Sequence, residues 1–119
     1  MFNDATGFSE IYIVCGRTDL RYGIDSLAAL ISQNYNLNPF APNTLFLFCG
    51  RRSDRLKGLL WEGDGFLLIY KRLEQGNFQW PRTQNEVLKM TQQQFRWLTE
   101  GLSIKPRKVV QKVKPKRVV

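Results

Sequence analysis

The residues of this chain best suited to chemistry are cationic and aromatic. Arg51, Arg52, Arg55 and Lys57 fall within seven positions, and Tyr70, Lys71 and Arg72 follow as one run. A guanidinium grips phosphate through two parallel hydrogen bonds, and an aromatic ring stacks on a nucleobase. The chemistry these residues offer is the holding of a polyanion. The plainer alternative is a solvated sheet face whose cations pair with Asp54 and Glu74. A second basic cluster, Lys105, Arg107, Lys108, Lys112, Lys114, Lys116 and Arg117, fills the last fifteen positions with no acid among them. Each phosphate such a segment neutralises releases counterions, so it is drawn to nucleic acid; a solvated terminus is the bland reading.

Other chemistries are poorly supplied. The chain has no histidine, which removes imidazole-based catalysis and Cys/His metal sites. Asp19, Asp54, Glu62 and Asp64 are the acids to weigh for metal-dependent phosphoryl transfer. Three of them sit in or beside expected turns, and Asp54 and Asp64 flank one strand at about 20 Å from each other. They cannot share one metal centre. Cys15 and Cys49 fall in strand patterns, form no CxxC pair, and read as small buried hydrophobes.

These side chains must be positioned by a small domain. The chain has 119 residues with 18 basic and 10 acidic side chains, a net charge of +8. The first 104 residues hold eleven of the basic and all ten acidic groups, a net of +1. A nearly neutral globular domain over 1–104 and a basic, flexible tail over 105–119 are expected. No apolar run, Leu45–Cys49 and Phe66–Tyr70 included, exceeds five residues, against about 20 for a membrane span. With no basic, apolar leader at Met1-Phe2-Asn3-Asp4, a cytoplasmic location is expected.

The elements follow from residue pattern. Ile11–Cys15 reads as a strand, and Gly16–Gly23 as a polar loop. A helix capped by Asp25 or Ser26 carries Leu27, Leu30, Ile31 and Asn34/Tyr35 on one face and ends before Asn38-Pro39. Leu45–Cys49, Arg55–Trp61 and Phe66–Arg72 read as a three-stranded meander. The Glu62-Gly63-Asp64-Gly65 joint predicts a tight turn pairing Trp61 with Phe66, Leu59 with Leu68, Lys57 with Tyr70 and Arg55 with Arg72. Pairing Cys49 with Arg55 sets Phe48 opposite Leu56 and Phe46 opposite Gly58. One face then carries Phe46, Phe48, Leu56, Gly58, Leu60, Leu67 and Ile69, the expected core under the first helix. The other shows an apolar patch, Leu59, Trp61, Phe66 and Leu68, beside the cations Arg55, Lys57 and Arg72 with Tyr70. An exposed apolar patch marks a partner surface. Phe78–Pro81 reads as a short edge strand, with Trp80 available to a partner. Thr91-Gln92-Gln93-Gln94 is a capping box with Met90 and Phe95 as a hydrophobic staple, opening a helix that stops near Gly101. The expected fold is α+β: a mainly antiparallel sheet of four to five strands with two helices.

Four ordered blocks carry a family resemblance. They are Gly16-Arg17-Thr18-Asp19-Leu20-Arg21; Phe48-Cys49-Gly50-Arg51-Arg52-Ser53-Asp54-Arg55-Leu56-Lys57; Leu60-Trp61-Glu62-Gly63-Asp64-Gly65-Phe66; and Tyr70-Lys71-Arg72-Leu73-Glu74-Gln75-Gly76-Asn77-Phe78-Gln79-Trp80-Pro81. Over roughly residues 11–105 the chain resembles the accessory TnpB (second open reading frame) proteins of the insertion sequence sixty-six family of bacterial mobile elements. The resemblance implies a non-catalytic accessory of transposition, with DNA and the separate transposase as expected partners. It supplies no catalytic residues and implies no cofactor, metal, membrane or small-molecule substrate. A protein-only adaptor of the transposase is the competing reading, and a small metal-dependent nuclease a distant third.

Overall fold

The computed structural model describes residues 7–82 and 86–104. Seven elements follow one another: β1 (Glu10–Val14), α1 (Ile24–Tyr35), β2 (Thr44–Cys49), β3 (Arg55–Trp61), β4 (Phe66–Arg72), β5 (Val87–Met90) and α2 (Gln92–Thr99). The strands form one sheet in the order β4-β3-β2-β1-β5. β1 and β2 are parallel and α1 is their crossover; the other three pairings are antiparallel. The fold is α+β, and β2-β3-β4 is the expected meander.

Alternation along each strand sends side chains to two faces, and both are buried at the centre of the sheet. Ile11, Ile13, Leu45, Leu47, Cys49 and Leu56 pack on one face with Phe95 and Leu98 of α2. Val14, Phe46, Phe48 and Leu59 pack on the other with Leu27 and Ile31 of α1. Leu27 and Ile31 are fully buried, and a side chain of that kind contributes about 1.5–3 kcal/mol when taken from water. The helix that carries them opens on Gly23, with no side-chain cap; Asp25 and Ser26, the expected caps, lie inside it. α2 opens on the expected capping box, with Thr91 Oγ1 accepting from the Gln94 N–H at 3.0 Å and Gln94 Oε1 accepting from the Thr91 N–H at 2.9 Å.

The β3–β4 register is the expected one, from Trp61↔Phe66 to Arg55↔Arg72. Its turn closes through Glu62 N–H to the Gly65 carbonyl at 2.8 Å, with Gly63 at φ 95, a conformation that favours glycine. The β2–β3 register differs from the expectation by one residue. Cys49 pairs with Leu56, Phe48 with Lys57, Phe46 with Leu59 and Leu47 with Gly58. A slip of one exchanges the faces. Phe46 and Phe48 therefore share a face with Leu59, and α1 covers that face instead of the one carrying Leu56 and Leu60. Gly58 makes room for Leu45 and Leu47, whose methyl carbons would lie 3.3 Å from an added Cβ, and not for Phe46.

The segment after β4 is a further correction. Phe78–Pro81 forms no strand; the edge strand is β5 beside β1. The segment crosses the end of the sheet from β4 toward β1. Leu73 N–H donates to the Asp54 carbonyl, Phe78 N–H to that of Ser53, and the Pro81 carbonyl accepts from Gly16 N–H, at 2.6–2.8 Å. Trp80 is 6% exposed, and its indole N–H donates to the Val14 carbonyl at 3.0 Å. It belongs to the core and offers nothing to a partner.

Candidate functional site

The parallel β1–β2 pair brings two carboxyl ends side by side, the place where open sheets with crossover helices form their clefts. β1 runs into the loop 15–23 and β2 into the loop 50–54. The Thr18 N–H donates to the Cys49 carbonyl at 2.9 Å, fastening the first loop to the end of β2. Arg82 braces both loops from the crossing segment. Its Nη1 donates to the Gly16 carbonyl at 3.1 Å, and its Nη2 reaches the Arg51 carbonyl at 3.4 Å and Cys49 Sγ at 3.7 Å.

Between the loops lies a groove of about 740 Å³ lined by Arg17, Arg21, Arg51, Arg52 and Arg55, with Asp19 and Tyr70 on its walls. Two carboxylates temper the five guanidiniums. Arg21 forks onto Asp19, with Nε to Oδ1 at 3.0 Å and Nη2 to Oδ2 at 2.7 Å. This side-chain bonding, with the Arg21 backbone N–H on the same carboxylate, lowers the Asp19 pKa to about 2. Asp54 takes Arg55 Nε at 3.0 Å and Arg52 Nη2 at 3.2 Å. The Arg55 bond chiefly, then the Arg52 and Arg55 charges, hold the Asp54 carboxyl below its ordinary range. Both acids are therefore anions at neutral pH, and the groove keeps an excess of positive charge. Among the described residues Arg17 and Arg51 have no acidic partner. Beneath the groove the Cys49 thiol is buried, and burial pushes its pKa up to about 11. It is a poor nucleophile there.

A profile of the IS66 Orf2-like proteins matches residues 9–109. The chain belongs to that family. Its members are transposition-associated accessory proteins of an insertion element. Two uncharacterized proteins of Sinorhizobium fredii are similar over 93 residues: y4hO, 36% identical across 78% of this chain and 80% of its own length, and y4jC, 33% identical across 78% and 79%. No solved structure matches significantly.

In this family member the groove gathers four of the residues read from sequence: Arg51, Arg52, Arg55 and Tyr70. Lys57 shares their face, yet its Nζ donates to the Tyr22 carbonyl at 2.9 Å, outside the groove lining. Arg72 turns to Glu74 at 3.3 Å. Lys71 pairs in register with Leu56 and so lies on the opposite face from Tyr70 and Arg72. The basic residues Lys105, Arg107, Lys108, Lys112, Lys114, Lys116 and Arg117 lie outside the described residues. Arg17 and Arg21 are site residues that sequence reasoning missed; their signal was the Gly16–Arg21 block, whose two arginines flank a carboxylate in a loop between strand and helix.

The expected apolar patch is corrected as well. Leu59 is fully buried and Leu68 packs with it beneath α1. Trp61 and Phe66 stay partly exposed, and Phe40, 51% exposed, joins them with ring centroids at 5.0 and 5.1 Å. Among the described residues no three acidic or cysteine side chains converge as metal ligands. No described helix is long and apolar enough to cross a membrane.

Proposed function

We propose that this chain is a non-catalytic DNA-binding accessory of transposition, and that the arginine groove is where it holds the DNA backbone. The observation that carries this reading is the convergence of five arginines, four from two loops about thirty residues apart in sequence and Arg55 from the start of β3, around one concavity with two carboxylates, Asp19 and Asp54, paired to them. Arg17 and Arg51, without acidic partners among the described residues, are the donors ready for phosphate. Arg21, Arg52 and Arg55 are held in place by Asp19 and Asp54 and add field. Phosphate grips of this kind position a protein on DNA without reading its sequence. The basic tail adds non-specific affinity.

Binding of the full chain to DNA over a salt series tests this. Arg17→Ala and Arg51→Ala should each weaken binding and lower the slope of log affinity against log salt by about 0.7–0.9 for each phosphate no longer gripped. Unchanged slopes in both variants would remove the groove from the account, and an unchanged slope after deletion of residues 105–119 would remove the tail.

A specific observation favours a protein partner in addition. Phe40, Trp61 and Phe66 form an aromatic cluster with an exposed ring at the far end of β3 from Arg55, about 20 Å away at the usual strand rise. Aromatic rings concentrate in protein interfaces, and this spacing leaves the groove open while the cluster is covered. The transposase of the same element is the proposed partner. Phe40→Ala should abolish co-purification in high salt with nuclease while leaving DNA affinity intact; retention of the complex would exclude the cluster.

A further inference from the structure

We propose that the groove is a site for single-stranded DNA: the arginines hold the backbone, one base stacks on Tyr70, and another enters the cavity beside Tyr22 and Tyr35. This rests on the reading of the groove as a DNA site and goes further, to the form of DNA it takes.

Three observations point to unpaired bases. First, Tyr70 is 52% exposed on the groove wall. The same sheet face is shielded by α1 at Leu59 and Leu68, but the helix does not reach Tyr70. Second, Arg55, whose Nε is held by Asp54 at 3.0 Å, lines the groove together with Tyr70, so the ring stands at the edge of the guanidinium cluster where a base would leave a gripped backbone.

Third, a second cavity of about 320 Å³ adjoins the groove. It is lined by Tyr22, Leu30, Asn34 and Tyr35 and shares Arg17, Thr18 and Asp19 with the groove. Its size is that of the smallest ligand pockets, about 300 Å³. Its lining is mostly polar, with the Tyr22 and Tyr35 side chains among the lining residues, and the Asn34 amide can pair with the edge of a base. Arg17 belongs to both concavities and has no acidic partner among the described residues, so a phosphate held there has base-binding surface to either side.

A duplex cannot use these features. Its bases stay stacked, with their faces closed to protein side chains; only an unpaired or extruded nucleotide can present a face to Tyr70 or enter a side cavity. Backbone grip with aromatic platforms is the arrangement that suits single strands regardless of sequence.

The test is fluorescence anisotropy of the full chain with a labelled mixed-sequence DNA strand, its duplex, and the RNA strand of the same sequence, at one salt concentration. The single DNA strand should bind most tightly. Tyr70→Ala and Tyr22→Ala, both at exposed rings, should each lower single-strand affinity about five- to a hundred-fold while leaving duplex affinity unchanged. Tyr70→Phe should retain binding, because the ring is what stacks. Tyr70→Trp adds a direct signal, its fluorescence quenched by the single strand and not by the duplex. Equal affinity for strand and duplex, or alanine variants without effect, would overturn the single-strand assignment while the arginine reading stood. Tighter binding of the RNA strand would overturn the assignment to DNA. Failure to bind any nucleic acid would overturn both readings.

Discussion

Thr18 donates its backbone N–H to the carbonyl of Cys49 at 2.9 Å, and this bond fastens the loop of Arg17 to the strand end that leads into Arg51, both of which line the groove. The neighbouring Gly50 shows how tightly the loops meet: a Cβ there would lie 2.9 Å from Leu20 Cγ and 3.4 Å from the Thr18 carbonyl oxygen. Gly50→Ala must push the loop 15–23 away from β2. Overpacking of this kind costs about 1–3 kcal/mol. A lowered urea midpoint together with weaker DNA binding is the expected outcome; a variant as stable and as tight as the parent would show that the loop is not held where its tether places it.

Arg82 acts at one remove, as a positioning residue. Its guanidinium spans the Gly16 and Arg51 carbonyls and Cys49 Sγ, and an ammonium cannot span all three. Arg82→Lys keeps the charge and loses the brace. Weaker DNA binding with an unchanged salt slope is expected. Affinity equal to the parent would mean that Arg82 serves only through its charge.

The acids of the groove carry a pH signature. Asp19 has its pKa lowered to about 2 from 3.8, mainly by the Arg21 side chain. A depressed carboxyl stabilises the fold above its unfolded pKa, and that contribution disappears as pH falls through the folded value. Asp19→Asn should therefore flatten the dependence of the urea midpoint on pH between about 4 and 2, with Asp54 and the Lys89-paired Glu10 adding slope in the same direction. At neutral pH the same variant removes a negative charge from the groove while its Oδ1 can still accept the Arg21 N–H. Tighter DNA binding is expected there, and weaker binding would contradict the electrostatic account.

Trp80 is the opposite kind of residue, structural throughout. Trp80→Phe removes the indole donor to the buried Val14 carbonyl and leaves a smaller ring in the core. A loss of about 1–3 kcal/mol in denaturant titration is expected, with DNA affinity kept wherever the variant stays folded. A neutral result would mean that the carbonyl finds another donor.

Legibility of this fold in its sequence varied with the physics of each joint. The β3–β4 register was readable because a four-residue turn with glycine at Gly63 and Gly65 leaves few pairings. The β2–β3 register was not, since β2 is buried at every position and its side chains show no alternation to fix a face. The longer joint 50–54 did not help. That single slip made Leu59 and Leu68 look exposed when they lie beneath α1. β5 is hard to see because Val87–Met90 is a four-residue edge whose last member also reads as part of a staple. Arg51, Arg52 and Arg55 were legible as neighbours in sequence. Arg17 and Arg21 join them only through a parallel strand pairing, which local pattern does not reveal.

That parallel pairing also bears on how the chain assembles. The hairpins on either side of β3 close through the short joints 50–54 and 62–65, whereas β1 meets β2 only after the whole of α1 is spanned, and β5 meets β1 across nearly the entire domain. Distant closures carry the larger entropy cost and slow the search. The meander is then the natural nucleus and β5 the last strand to dock, so a destabilising change in β4 should slow refolding in a chevron experiment while one in β5 should mainly hasten unfolding. The groove needs the ends of both β1 and β2, so it comes into being only once the α1 crossover has closed, and the meander alone lacks the arginines of the loop 15–23.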